Sequence, residues 1–594
     1  MKSDSIMSRL FRMIKVDPVP EKSEEQKQEP VEKTNAAATE STEPVQAEQP
    51  SETIPEPESD TVQVKADPED LAEIEAAEDS EMKAAEVIEN KAILKQRSNG
   101  VLMHITSLPS RYGIGSFGAE ARHFADLLKD AHVKAWQVLP FCPADSCHSP
   151  YKSVSSFAGN PMFIDLEQLR DEGYLNQEEL DSCVVEDPWG IDFARVTEDR
   201  NRVFKIAFSR INEQTEQQML EFAAEHTWVD DYALFMAATE KYGYNWQEWP
   251  QDLRDRKPDA LEDARAEFAE TILYHAFLQY VFFSQWKKDK AYINSLGIKV
   301  IGDMPFYVSY ESSDVWSNQN LFDLKEDGKP AAVAGVPPDF FSKTGQLWGN
   351  PLYDWKKMKA ENYQWWMNRI GHALKVYDVL RIDHFRAFAN YYSVPADEDT
   401  AMNGTWIDGP GQTFFDVLDE TFDNPEIIAE DLGGESDPEV MKLIKQTGLP
   451  GMRVMEMAFV SYGDNPHYPF NYIPNCVAYL GTHDNNTLLG YLGEDLTAPQ
   501  RDYALQYVDF YDHKDNWEEF GPNSGVVHAF IRSIWQSSSN LVIIQLQDLM
   551  GYGSDCRMNL PGTASGNWSF RIERGALDTL NTEWLKYFNM TYQR

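Results

Sequence analysis

From about residue 100 onward the chain alternates short apolar runs with longer stretches of helical spacing. Eight runs, many of them β-branched, can be marked: VLMHITS (101–107), AWQVLP (135–140), KVIGDMP (299–305), VLRIDH (379–384), EIIAED (426–431), MRVMEMA (452–458), VAYLGTHD (477–484) and LVIIQLQDL (541–549). Between most of them apolar residues recur at three- and four-residue intervals, as in AEARHFADLLKDAHV, YQWWMNRIGHALKVY, QTFFDVLDETF and PEVMKLIKQTG. Strands and helices in alternation imply a parallel sheet with helical crossovers, and eight such units predict an α/β fold, the (β/α)8 TIM barrel. One connection is too long for a simple crossover. The stretch between the second and third runs, 141–298, carries YALFMAATEKYG and ALEDARAEFAETILYHAFLQYVFFSQWKKDKAYINSLG, which predicts a large, mostly helical insertion between strands 2 and 3, at approximately 160–290.

Ahead of the barrel the pattern vanishes. Residues 17–90 contain no aromatic side chain and hold 23 acidic against 5 basic residues. So little apolar surface cannot offset the entropy of ordering, so residues 1–96 are expected to form a disordered acidic extension and residues 97–594 the barrel domain. Inside the extension, IMSRLFRMIKV (6–16) is basic and apolar and could lie on an anionic membrane surface as an amphipathic helix, a weak peripheral contact. No partner for the extension can be read from its composition.

The formal net charge of −44 excludes a nucleic-acid binder that works by neutralising phosphates. No run approaches the roughly 20 apolar residues of a membrane span, and no signal peptide is recognised, so a soluble, cytoplasmic protein is expected. The five cysteines, Cys142, Cys147, Cys183, Cys476 and Cys556, are scattered and odd in number, which fits reduced thiols. Cys142, Cys147 and His148 lack a second ligand group at suitable spacing, so no metal is expected. There is no GxSxG, HExxH or phosphate-cradling glycine loop to support esterase, zinc-protease or nucleotide chemistry.

The ends of the apolar runs carry the chemistry. On a strand, Arg381 and Asp383 share one face while Ile382 and His384 share the other. Such a pair could be a salt bridge closing a strand end, or a guanidinium holding a carboxylate ionised for catalysis. Glu430 and Asp431 end the fifth run on opposite faces, so only one can join Asp383, and Asp484 ends the seventh run beside His483. In a barrel these strand ends converge over one mouth. Glycosidic-bond chemistry needs two carboxyl groups there and gains from a third. The stretch GVPPDFFSKTGQLWGNP (335–351) reads as a surface loop at that mouth, stiffened by Pro337 and Pro338, with Phe340, Phe341 and Trp348 offering faces for sugar rings.

RIDHF, AEDLG and THDN resemble the catalytic motifs of the 4-α-glucanotransferases, called amylomaltase or disproportionating enzyme, glycoside hydrolase family 77 of the α-amylase clan. SPYKSVSSFAGNP, GDMPFYV, GVPPDFFSKTGQLWGNPLYDW, QDLMGYGSDCRMNLPGT and GNWSFR extend the resemblance, in order, from about residue 100 to the end. It implies Asp383 as nucleophile, Glu430 as general acid/base and Asp484 as transition-state stabiliser, with the first two carboxyls roughly 5–5.5 Å apart, the retaining geometry. It further implies sugar contacts from His384, His483 and Asp303, with Arg381 beside the nucleophile and Tyr151, Ser149 and Asn559 as further subsite residues. The implied substrates are maltooligosaccharides and starch- or glycogen-derived glucans, with glucose as an acceptor and no cofactor. A retaining α-glucan hydrolase of the same clan would share the three carboxylates, and a non-catalytic glycan-binding protein is the remaining alternative. The acidic extension and the cysteines of FCPADSCHSP depart from the family pattern without touching those carboxylates.

Overall fold

The computed structural model describes residues 90–145, 147–338, 342–460, 465–563 and 565–594. The expectations for the acidic extension, for segment 6–16 and for Phe340 and Phe341 lie outside the described residues. Eight parallel strands form one sheet: Ser98–Leu102, Ala135–Gln137, Lys299–Met304, Val379–Ile382, Ile427–Ala429, Gly451–Val454, Cys476–Tyr479 and Leu541–Gln545. Their spatial order is sixth, seventh, eighth, first, second, third, fourth, fifth. Closure between fifth and sixth is made by Ala429, whose N–H donates to Pro450 O at 2.9 Å, and by Asp431 Oδ1, which accepts from Met452 N at 2.7 Å. Each of the eight sequence runs overlaps one of these strands.

Most of these strands are buried along their whole length, because one face fills the barrel and the other lies under helices. The inward positions cluster as Leu102, Ile301, Val379, Ile428, Met452, Val477, Tyr479, Leu541 and Ile543. Two residues further along three of these strands, on the same face, stand Asp303, Arg381 and Glu430. The barrel interior thus changes from aliphatic to ionic at its carboxyl end, and period two puts the charges there. Gly302 is required by close packing, since a Cβ there would lie 2.1 Å from the Tyr377 ring.

The connection between the second and third strands contains the helices Leu166–Asp171, Gln177–Asp181, Phe193–Phe208, Glu213–Glu225, Trp228–Tyr242, Pro258–Glu267 and Ala269–Ser295. The last leads into the third strand, and its buried Asp289 fastens it to the helix Ala119–Asp130 by accepting from Gly118 N at 2.6 Å and Arg122 Nε at 2.8 Å. A four-stranded antiparallel sheet, in the order Gln346–Pro351, Ala332–Val336, Asn390–Pro395, Thr405–Asp408, flanks the barrel mouth. The stretch read as a surface loop at 335–351 is therefore partly strand. Gln346–Pro351 pairs with Ala332–Val336, which in turn pairs with Asn390–Pro395 far downstream, a link that local sequence does not announce.

At the opposite end the 3-10 helix Asn90–Lys95 packs Ile93 and Leu94 into the barrel floor, ahead of the boundary expected at residue 97. Arg97 donates to Ser537 O and Trp535 O at 2.8 Å each, and the buried Arg594 donates to the carbonyls of Trp535, Ser537, Ser539, Asn540 and Ser98 at 2.9–3.2 Å. Among the described residues no helix is long and apolar enough to cross a membrane.

Candidate active site

Three strand ends meet at Arg381. Its Nη1 reaches both oxygens of Asp303 at 2.7 Å and Asp383 Oδ1 at 3.0 Å, while Nε lies 3.3 Å from Met452 Sδ. The Tyr151 hydroxyl donates to Asp303 Oδ2 at 2.8 Å. Asp303 is fully enclosed, its oxygens taken by Arg381 and Tyr151, so it reaches the mouth through those two side chains rather than facing it directly. Asp383, by contrast, is 30% exposed.

Past Asp383 the chain turns sharply. His384 adopts a left-handed conformation, φ 51°, and opens the 3-10 turn Phe385–Phe388. That turn aims the His384 N–H at Glu430 Oε2, at 2.7 Å, while Leu432 N donates to Oε1 at 2.8 Å. It also carries Arg386 away from Asp383. Arg386 bonds instead to Gly433 O at 3.0 Å, Asn390 Oδ1 at 2.8 Å and Asp437 Oδ2 at 3.0 Å. Asp431, on the other face of its strand, is spent on Met452 and Arg453 and takes no part at the mouth.

Burial, helped by the Asp383 charge, pushes the Glu430 carboxyl up to about 8 despite Arg381 and the two main-chain donors. Burial raises Asp383 as well, to about 6, against the pull of Arg381. The Arg381 charge, shared with Asp303, therefore offsets only part of the effect of burial on Asp383. The ordering of the pair follows from access to water: Asp383 is partly exposed and adjoins the guanidinium, Glu430 is buried, and their shared proton resides on Glu430 near neutral pH. His384 is held neutral, lowered to about 3 by burial and by Arg386.

Asp484 closes the opposite rim, and its charge acts on Asp383. Asn559 Nδ2 donates to its Oδ1 at 2.6 Å, Arg557 Nη2 donates to its main-chain oxygen at 2.6 Å, and His483 Nε2 lies 3.5 Å from Oδ1. The His483 ring stacks on Tyr151 at 5.0 Å, with Trp568 tilted against both. Ser149 spends its hydroxyl on the Tyr151 N–H at 3.3 Å, fixing the turn that presents Tyr151. Trp348 meets the His384 ring edge-on at 4.9 Å. The structure adds three further residues. Arg557 and Trp568 support the Asp484 rim, and Tyr307, 6.0 Å from His384, has a buried hydroxyl without a hydrogen-bond partner. Tyr307 lies in the GDMPFYV stretch after the third strand, where its position could have been noted. Among the described residues no group of three or more His, Cys, Asp or Glu side chains could hold a metal ion.

Asp383, Glu430 and Asp484 at the carboxyl ends of barrel strands form the kind of mouth in which enzymes break and re-form glycosidic bonds with paired carboxyls. The particular family follows from comparison. The profile of glycoside hydrolase family 77, described as 4-alpha-glucanotransferase, matches residues 103–578, and the chain belongs to that family. A 4-alpha-glucanotransferase of Clostridium butyricum is 43% identical over 475 residues, covering 79% of this chain and 95% of the relative. A chloroplastic/amyloplastic 4-alpha-glucanotransferase of Arabidopsis thaliana is 38% identical over 500 residues, covering 82% of this chain and 84% of the relative. The solved structure of amylomaltase from Streptococcus agalactiae in complex with acarbose superposes with a TM-score of 0.80 at 39% identity, covering 84% of this chain and 100% of that one.

Proposed function

We propose that this chain transfers α-1,4-glucan segments between maltooligosaccharides, or from them to glucose, by a retaining double displacement. The observation that carries the reading is the placement of Asp383 against Arg381 and of Glu430 against the His384 amide at one barrel mouth, within a chain of this family. Asp383 attacks the anomeric carbon while Glu430 gives its proton to the leaving glycosidic oxygen, leaving a glycosyl ester on Asp383. The departing sugar carries the proton away, so Glu430 is then a carboxylate and accepts the proton of the incoming 4-hydroxyl as that oxygen displaces Asp383. Asp484, held by Asn559, faces the positive charge that develops on the sugar ring.

His384 and His483 contribute ring nitrogens to sugar hydroxyls, and Trp348 offers an apolar face beside them. Asp303 acts through Arg381 and Tyr151 as a positioning residue, and Ser149 acts through Tyr151. Starch- and glycogen-derived glucans are the proposed larger substrates, and the cytoplasm the proposed location. Incubating the full chain with maltotriose alone and separating the products by length tests the reading. A ladder of longer glucans with free glucose is expected; glucose and maltose alone would replace transfer with hydrolysis.

A further inference from the structure

Trp406 lies in the edge strand Thr405–Asp408, all four residues of which are exposed. Trp406 is 44% exposed, yet its ring is not loose. The Arg386 guanidinium covers one face, 4.2 Å from a ring centroid, and Tyr392 packs on it at 5.3 Å with the planes at 61°. Tyr392 is the direct cross-strand neighbour of Trp406 and belongs to the small cluster with Val333, Val394 and Ala401 that anchors this face of the sheet. A lone exposed aromatic is ordinary on a protein surface; this one is distinguished by its bracing against Tyr392 and against the guanidinium that also holds the loop after Glu430.

Arg386 supplies the link to the site. Besides the indole it holds Gly433 O, Asn390 and Asp437, and Asn390 Nδ2 also donates to Asp437 Oδ2 at 3.0 Å. Gly433 and Asp437 belong to the loop that leaves Glu430, so Arg386 joins that loop by hydrogen bonds to the Trp406 ring that it covers. We infer that Trp406 is a stacking platform for a distal glucose unit of an α-1,4-glucan chain on the Glu430 side of the mouth, a site that discriminates long from short glucans. This rests on the proposed glucanotransferase reading.

Size argues against a second copy of the chain as occupant. The exposed apolar residues here are Met402, Trp406 and Ile407, and successive residues Trp406 and Ile407 point to opposite sheet faces. One indole buries about 150–250 Å², against the roughly 800 Å² per partner of a standard protein interface. A flat, neutral ring suits the apolar face of a sugar.

The test compares KM and kcat on maltotriose and maltoheptaose for the wild-type chain and for Trp406→Ala, Trp406→Phe and Trp406→Leu. The leucine variant keeps an apolar cover on Arg386 should alanine impair folding. Expected is a rise in the maltoheptaose KM about tenfold larger than the rise for maltotriose in the alanine and leucine variants, with kcat little changed and most of the loss restored by phenylalanine. The wild-type ratio of the two KM values in folded alanine or leucine variants overturns the platform while leaving transfer intact, and so does a wild-type dimer that these variants abolish. A wild-type chain that makes no product longer than maltotriose overturns the glucanotransferase reading itself.

Discussion

The main-chain amide of His384 donates to the Glu430 carboxyl at 2.7 Å, so the residue that follows Asp383 positions the carboxyl opposed to it. The contact depends on the left-handed turn at His384, which few residue types other than glycine, asparagine and aspartate adopt cheaply. Replacing His384 by asparagine removes the imidazole but tolerates the turn, whereas valine removes both. The kcat of His384→Val should therefore fall about tenfold below that of His384→Asn, since strain in this conformation is on the order of 1–2 kcal/mol. Equal kcat values would show that the turn does not govern Glu430.

Activity should be bell-shaped in pH. Asp383 must be ionised to attack, so kcat/KM rises as pH climbs through about 6. Glu430 must hold a proton to give, so kcat/KM falls as pH climbs through about 8. Both limbs belong to the coupled pair. Glu430→Gln should lower turnover by roughly a thousandfold and abolish the high-pH limb, which a pH–rate series on maltotriose reads directly.

Removing the guanidinium should move the other limb. Arg381→Met leaves Asp383 and the enclosed Asp303 without their shared cation, and the loss of its lowering influence raises Asp383 further. The rising limb then shifts to higher pH, and kcat/KM at pH 7 drops about a hundredfold. A low-pH limb that stays in place would show that Arg381 only braces the strand end.

At the far end of the barrel, Arg594 satisfies five carbonyl groups from a buried position. Arg594→Met should cost about 3 kcal/mol, because carbonyls left without donors stay buried. Thermal unfolding would read this as a clear fall in Tm with kcat on maltotriose retained by the folded fraction. An unchanged Tm would mean that water replaces the arginine without loss.

The eight barrel strands were legible because strands buried on both faces read as unbroken apolar runs, and the period-two rule placed Arg381 beside Asp383 and separated Glu430 from Asp431. The antiparallel sheet was not legible. Ala332–Val336 pairs with Asn390–Pro395, and its other partner, the edge strand Gln346–Pro351, contains Gly349 and Pro351 and looks like loop until that pairing is known. The contacts of Arg386 were not legible, because the left-handed His384, which directs it toward Asp437 and Trp406, leaves no mark in composition. The enclosure of Asp303 was equally invisible, since it depends on Tyr151, a residue remote in sequence.

The most direct test is chemical capture of the ester on Asp383. The Glu430→Gln variant is mixed with α-maltotriosyl fluoride, whose fluoride leaves without an acid's proton, and the intact protein and its peptides are weighed by mass spectrometry. Expected is one added maltotriosyl group on the peptide containing Asp383, which persists when maltose is supplied because the variant lacks the base that the second displacement needs. A label on a different carboxylate would contradict the assignment of Asp383, and so would turnover of the fluoride with no covalent species.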